Sequence, residues 1–223
     1  MERVKIIEVK KSIFEDNNAD ADRLRKQLKE DGTFLVNLMS SPGSGKTTTL
    51  KRTISLLSDE MKIGVMEADI DSDVDAVAIL ETGTPAIQIH TGGMCHLDAD
   101  MTRQGLSELG SKELDVVFLE NVGNLVCPAE FAVGEDEKGV VLSITEGDDK
   151  PMKYPLIFKE SAIALLNKVD ILPYCNFDMK SAKEDITTLH PDIKVVEIAC
   201  TTGQGIEEWC NWLLEKIQAK KGN

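Results

Sequence analysis

Residues 40–47 read Ser-Ser-Pro-Gly-Ser-Gly-Lys-Thr, directly after the apolar run Phe34 to Met39 and directly before a stretch whose apolar positions Leu50, Ile54 and Leu57 recur at helical spacing. Strand, glycine-rich loop and helix in that order form a cradle for phosphate. Gly43 and Gly45 let successive backbone amides, that of Ser44 included, converge on phosphate oxygens, and the positive end of the helix dipole adds to them. Lys46 supplies a point charge for β- and γ-phosphates, Thr47 offers its hydroxyl to Mg²⁺, and Thr48 completes the first turn. The motif G-x-x-x-x-G-K-[ST] normally opens with Gly; here that position is Ser40, so its backbone must suit a residue with a Cβ.

A chain of 223 residues around such a unit fits one α/β domain or two small ones. Short apolar runs at Phe34 to Met39, Ile63 to Glu67, Ala86 to Ile89, Val116 to Glu120, Val140 to Ile144, Ala162 to Asn167 and Val195 to Ala199 read as strands. Most lack a period of two, which predicts strands covered on both faces: a three-layer, mainly parallel β-sheet with helices on both faces. The intervening helices are expected at Asp20 to Glu30, Lys46 to Leu57, Asp73 to Glu81, Ala99 to Leu109, Met179 to Leu189 and Gly205 to Ala219. With no internal repeat and no flexible linker, the expected organisation is an N-terminal extension with a short helix over residues 1–31 and one nucleotide-binding domain over 32–223. Gly134 to Tyr154, polar and acidic at both ends of one apolar strand, reads as an exposed hairpin or a solvated loop beside the nucleotide.

The net charge of −14 repels phosphate backbones and anionic lipid, so nucleic acid is not an expected partner. No apolar run approaches the ~20 residues of a membrane helix, and acids interrupt the first twenty residues unlike a signal peptide. The expectation is a cytoplasmic protein without a membrane association. Five cysteines, an odd number, argue for reduced thiols over a disulfide framework.

Asn167-Lys-Val-Asp170 ends an apolar run, on the edge where a parallel sheet presents ligands. Asp170 can accept both the N1–H and the exocyclic amine of guanine, a pattern adenine lacks; Lys168 lies along the ring and Asn167 braces the loop. Ala199-Cys200-Thr201 closes another strand and could offer backbone amides to the guanine oxygen. Glu120, at the end of its strand, takes the place of an acid in the Mg²⁺ shell, and the amide of Gly123 is placed to sense the γ-phosphate. Asp69 is the candidate for orienting the attacking water or completing the metal shell. Asp71, Asp73 and Asp75 compete for that role, against the alternative of solvated acids and a helix cap at Ser72 or Asp73.

Cys95 and His96 fall in a Gly-rich loop, and Cys127 follows Glu120 by seven residues, in the segment that should move with the γ-phosphate. Lone cysteines are usually packing; as a set, two thiols and an imidazole suit Ni²⁺ or Zn²⁺, and two subunits together could close a four-ligand site. Cys175, Cys210, His90 and His190 read as structural, and Trp209 with Trp212 as the apolar face of the last helix.

Ser41-Pro-Gly-Ser-Gly-Lys-Thr-Thr, Gly93-Met-Cys-His-Leu-Asp-Ala, Glu120-Asn-Val-Gly-Asn-Leu-Val-Cys-Pro-Ala and Asn167-Lys-Val-Asp together closely resemble the hydrogenase nickel-incorporation GTPases, of the signal-recognition-particle and MinD-like class, from about Thr33 onward. The resemblance implies a GTPase that hydrolyses GTP with Mg²⁺, forms a GTP-promoted homodimer, and binds Ni²⁺ or Zn²⁺ through Cys95, His96 and Cys127. It further implies a nickel-binding accessory protein as partner and the large subunit of a [NiFe]-hydrogenase as destination. Residues 1–31 hold neither Cys nor His, so the nickel-storage motif of some family members is not expected. The urease accessory GTPases resemble this chain less around Cys95 and Cys127. A non-hydrolytic metal-binding dimer is the rival of a different class, and Asp170 disfavours a small-molecule kinase.

Overall fold

The computed structural model describes residues 9–69 and 74–222, so Asp71, Ser72 and Asp73 lie outside the described residues. Seven parallel strands form one sheet in the order β3-β2-β4-β1-β5-β6-β7. These are β1 (Phe34–Ser40), β2 (Ile63–Asp69), β3 (Ala86–His90), β4 (Val116–Glu120), β5 (Glu137–Ser143), β6 (Ile163–Asn167) and β7 (Lys194–Ile198). Between them run α1 (Val9–Asp31), α2 (Lys46–Leu57), α3 (Val74–Leu80), α4 (Ala99–Leu109), the short α5 (Cys127–Glu130), α6 (Lys150–Lys153) and α7 (Pro155–Lys159), then α8 (Met179–Leu189) and α9 (Ile206–Lys221). Among the described residues no helix is long and apolar enough to cross a membrane.

Every residue of β1 is buried because the strand has no solvent face. Phe34, Val36 and Leu38 pack with Leu50 and Ile54 of α2 and Leu213 of α9, while Leu35 packs with Leu24 of α1 and Leu106 of α4. A third cluster joins Met39, Val140 and Leu166 to Ile186 of α8 and Phe158 of α7. This is the three-layer arrangement the unbroken apolar runs require.

The solvated-loop reading of Gly134 to Tyr154 is overturned. Its apolar part is β5, which pairs with β1 on one side and β6 on the other, and is thus interior to the sheet. The flanking acids are structural. Asp136 accepts from the Leu35 amide at 2.8 Å and pairs with Lys220 of α9 at 2.7 Å, and Glu135 accepts from the Val133 amide at 2.7 Å. At the other end Glu146 accepts from the Ser143 amide and from the Ser41 hydroxyl, clasping the phosphate loop to β5. Partner-satisfied acids are buried at low cost, which composition by itself does not reveal. The first helix also extends well beyond Asp20 toward the N-terminus.

Trp209 is fully buried under α2, its indole N–H donating to Thr53 Oγ1 at 2.9 Å and its ring stacked on Trp212. His190 is tied by Nδ1 to the Ser161 carbonyl at 2.9 Å, as a structural histidine should be. Removing the indole opens a large cavity between α2 and α9, so Trp209→Ala should cost about 3–5 kcal/mol. Urea denaturation should show this as a lowered midpoint with an unchanged slope; a loss below about 1 kcal/mol would mean the two helices close over the gap.

Candidate functional site

The phosphate loop leaves the carboxyl end of central β1 and enters α2 at a left-handed Gly45 (φ 98°). A Cβ there would also stand 2.5 Å from Asn167 Nδ2, so Gly is required twice over. Ser40, in the place the motif gives to Gly, is the last residue of β1. Its hydroxyl accepts from Lys46 Nζ at 2.7 Å and from Ser44 Oγ at 2.6 Å, and donates to the Ser41 carbonyl. Thr47 Oγ1 donates to Glu120 Oε1 at 2.9 Å, and Lys46 Nζ lies 3.9 Å from the same oxygen. Lys46, Thr47 and Glu120 line a cavity of about 660 Å³ together with Gly43, Thr48, Asp69, Gly123 and Lys168; Asn167, Asp170 and Cys200 are not among its lining residues.

Glu67 also lines this cavity, and sequence reasoning missed it. It stands directly opposite Glu120 across the β2–β4 pair and is 2% exposed. Burial, then the Glu120 carboxylate, push its carboxyl up to about 11. Burial raises Glu120 too, against the pull of Lys46. Neither Glu67 Oε1 nor Glu120 Oε2 meets a donor among the described residues. The pair is therefore satisfied only by a proton between the carboxyls or a cation beside them. Two buried carboxylates with unfilled oxygens beside a threonine hydroxyl form a hard oxygen donor set, which fits Mg²⁺. The available signal was local: Glu67 interrupts a strand that is otherwise apolar up to Asp69. Asp69 and Asp75 both face the cavity, and Asp71 and Asp73 lie outside the described residues.

The base loop is tied to the phosphate loop. Asn167 Nδ2 donates to the Ser44 carbonyl at 2.9 Å, its Oδ1 accepts from the Lys168 amide, and Lys168 Nζ donates to the Gly43 carbonyl at 2.8 Å. Lys168 is the one non-glycine residue with positive φ (67°) among the described residues, a conformation this network holds in place. Asp170 accepts from Thr201 Oγ1, which brings the 199–201 turn beside it. Of the two amides nominated in that turn, Ala199 already donates to the Gln204 carbonyl at 3.0 Å, which removes it as a donor to guanine. Cys200 is buried, its thiol against Thr49 and Asn167 and its carbonyl accepting from Arg52 Nε.

Cys95, His96 and Cys127 converge, their ligand atoms all within 4.8 Å of one another. Cys95 Sγ lies 2.7 Å from Cys127 Sγ and 3.8 Å from His96 Nδ1, and both cysteines are free thiols. The hydrogen bond with Cys127 raises the Cys95 thiol, while burial lowers His96 and favours the neutral imidazole that a metal needs. His96 stacks on Phe131 with centroids 3.8 Å apart. Two sulfurs and one nitrogen form a soft, three-membered donor set that suits Ni²⁺ or Zn²⁺ and leaves coordination positions open. Cys175 is only partly buried and stands apart from this group; Cys210 is a core thiol that burial pushes up to about 11.

The parallel sheet, the phosphate loop and the cavity at the sheet's carboxyl edge define a P-loop nucleotide-binding protein. Residues 34–197 match the CobW/HypB/UreG nucleotide-binding domain. Hydrogenase maturation factor HypB of Escherichia coli K12 is 45% identical over 213 residues, spanning 96% of this chain and 73% of that protein. The crystal structure of hydrogenase maturation factor HypB from Archaeoglobus fulgidus superposes with a TM-score of 0.85 at 38% identity, covering 91% of this chain and 98% of that one. That of HypB from Helicobacter pylori in complex with nickel gives 0.86 at 35% identity, over 92% and 96%. The chain belongs to the HypB hydrogenase maturation factors of the CobW/HypB/UreG family.

The Glu67–Glu120 pair carries a pH signature. A carboxyl raised from 4.5 to about 11 stabilises the metal- and nucleotide-free fold fully below about pH 4.5, and that contribution is lost as pH climbs toward 11. Glu67→Gln, of the same shape and never charged, should flatten this slope, so that melting temperatures at about pH 5 and about pH 9 lie closer together than in the wild type. Parallel curves for the two proteins would show that Glu67 is not held neutral.

Proposed function

We propose that this chain is a GTP-hydrolysing metallochaperone that binds Ni²⁺ or Zn²⁺ in a nucleotide-dependent homodimer and assists nickel insertion into a [NiFe]-hydrogenase. The observation that carries the reading is the path of one segment. Glu120 lies on the cavity floor; Gly123 lies against the phosphate loop, so close that a Cβ would stand 2.9 Å from Pro42 Cγ; and Cys127, four residues on, meets Cys95. A segment seated on the phosphate loop at one end and holding a ligand at the other couples the two events.

In this reading Lys46 leaves the Ser40 hydroxyl for the β- and γ-phosphates, and the amides from Gly43 to Thr48 enclose them. Thr47, Glu120 and Asp69, joined by Glu67, hold Mg²⁺, which when bound neutralises charge on the transferring phosphoryl group. Asp69 orients the attacking water, the Gly123 amide senses the γ-phosphate, and Asp170, braced by Asn167 and Lys168, selects guanine with the Cys200 amide on its oxygen. Cys95, His96 and Cys127 of two subunits meet across the dimer, where hydrolysis opens the site and passes the ion on, from a nickel-binding accessory protein toward the hydrogenase large subunit. An acidic surface of net charge −14 is consistent with small cations and protein partners rather than nucleic acid. Support for the hydrogenase destination comes from the relatives' identity as hydrogenase maturation factors.

Titration of Ni²⁺ in the presence of GDP and of a non-hydrolysable GTP analogue tests the coupling. The GTP analogue should tighten Ni²⁺ binding by a factor between about 5 and about 150, and Ni²⁺ should favour the analogue over GDP by the same factor. Identical Ni²⁺ affinities in the two nucleotide states would leave two uncoupled sites on one chain and refute the chaperone mechanism.

Asp170→Asn should weaken GTP about 10- to 100-fold and admit xanthosine triphosphate, whose base carries a carbonyl where guanine carries its amine. Competition binding with the two nucleotides reads this directly, and unchanged GTP affinity would remove Asp170 from the base pocket.

A further inference from the structure

The two segments that carry the metal ligands are bridged from behind by a single side chain. Asn17, on α1, accepts at Oδ1 from the Ala99 amide and donates from Nδ2 to the Ala132 carbonyl, both at 2.9 Å. Ala99 follows His96 by three residues and opens α4; Ala132 follows Cys127 by five. A carboxamide donates and accepts from one short planar group without needing a proton from solvent, and Asn17 uses both functions while 8% exposed.

The rest of α1 reinforces this placement. Asn17, Ala21, Leu24 and Leu28 form one buried stripe at helical spacing. Leu24 packs so closely on left-handed Gly134 that a Cβ there would stand 2.7 Å from it. Leu97, adjacent to His96, shares a core cluster with Leu24, Leu28 and Val133. Ala132 is adjacent to Phe131, the ring on which His96 stacks. Fixing the Ala132 carbonyl therefore fixes Phe131, and Phe131 fixes the plane of the imidazole.

We infer that Asn17 is a positioning residue of the Cys95–His96–Cys127 centre, setting the separation of the two ligand-bearing segments and the orientation of His96 through their backbones. The inference rests on the reading of these three residues as metal ligands. Its consequence is that the geometry of the centre is governed from the first helix, outside the loops that hold nucleotide.

The test titrates Ni²⁺ alone into the full chain, following thiolate-to-Ni²⁺ charge-transfer absorption and, in the same samples, GDP affinity. Asn17→Ala should weaken Ni²⁺ about tenfold and shift the charge-transfer band, with GDP affinity unchanged. Asn17→Asp keeps the acceptor for Ala99 but turns an acceptor toward the Ala132 carbonyl, and should shift the band likewise; where Asn17→Ala does not fold, this variant decides alone. Arg25→Ala removes a different α1 contact, to the Glu135 carbonyl, and should leave band and affinity in place. Wild-type band and affinity in the Asn17 variants would overturn the inference, as would an equal shift in Arg25→Ala or a parallel loss of GDP affinity, each of which reports helix docking in general. A wild-type protein with no thiolate band would overturn the ligand assignment itself, and the inference with it.

Discussion

Glu120 ends the strand beside central β1, buried among a lysine ammonium, a threonine hydroxyl and a second carboxyl. Such a group is costly to bury, and the surrounding fold exists in large part to satisfy it. The strand register brings Glu67 opposite it, the left-handed Gly45 aims the first turn of α2 at it, and the Ser40 hydroxyl draws Lys46 to its edge. Glu67, Asp69 and Glu120 line the phosphate-loop cavity, which thus opens onto a buried polar network at the edge of an apolar sheet.

From that edge short connections run outward through the fold. The loop after β6 and the phosphate loop are joined by two hydrogen bonds, from Asn167 and from Lys168, so the two loops are held as one unit. On the opposite side the segment after Glu120 passes under the phosphate loop at Gly123 and enters α5 with Cys127 as its first residue. No long lever is needed: four residues separate the residue pressed against Pro42 from the thiol that meets Cys95. The thiol centre in turn rests on α4 and α1, which belong to a different packing cluster from α2.

The fold was legible wherever apolar continuity spoke for itself. Seven apolar runs became seven strands, the interior ones nearly unbroken because they are covered on both faces, the edge strands β3 and β7 only partly buried. The strand of β5 was legible but its flanks were not: Glu135, Asp136 and Glu146 look solvent-bound in isolation, and their partners, among them Lys220, the Leu35 amide and the Ser41 hydroxyl, are supplied by the fold. The phosphate loop was legible because a local motif carries it between a strand and a helix, whereas Cys95, His96 and Cys127, which no close cysteine spacing links, were legible only as an inventory of donors that the fold brings together. Glu67 and Asn17 were not legible, since the role of each depends on what the sheet or a helix places opposite it. Ala199 was misjudged for a similar reason, its amide being taken by a turn partner five residues on.

Ser40 holds two side chains that a glycine in its place could not. A glycine at this position would leave the buried ammonium of Lys46 facing Glu120 across 3.9 Å and the Ser44 hydroxyl without its acceptor. With serine, the ammonium and the Ser44 hydroxyl share one acceptor. The first turn of α2 is thereby tied back to the end of β1 by side chains as well as by backbone. Removing this one hydroxyl would therefore loosen the loop from within, without altering any of its glycines.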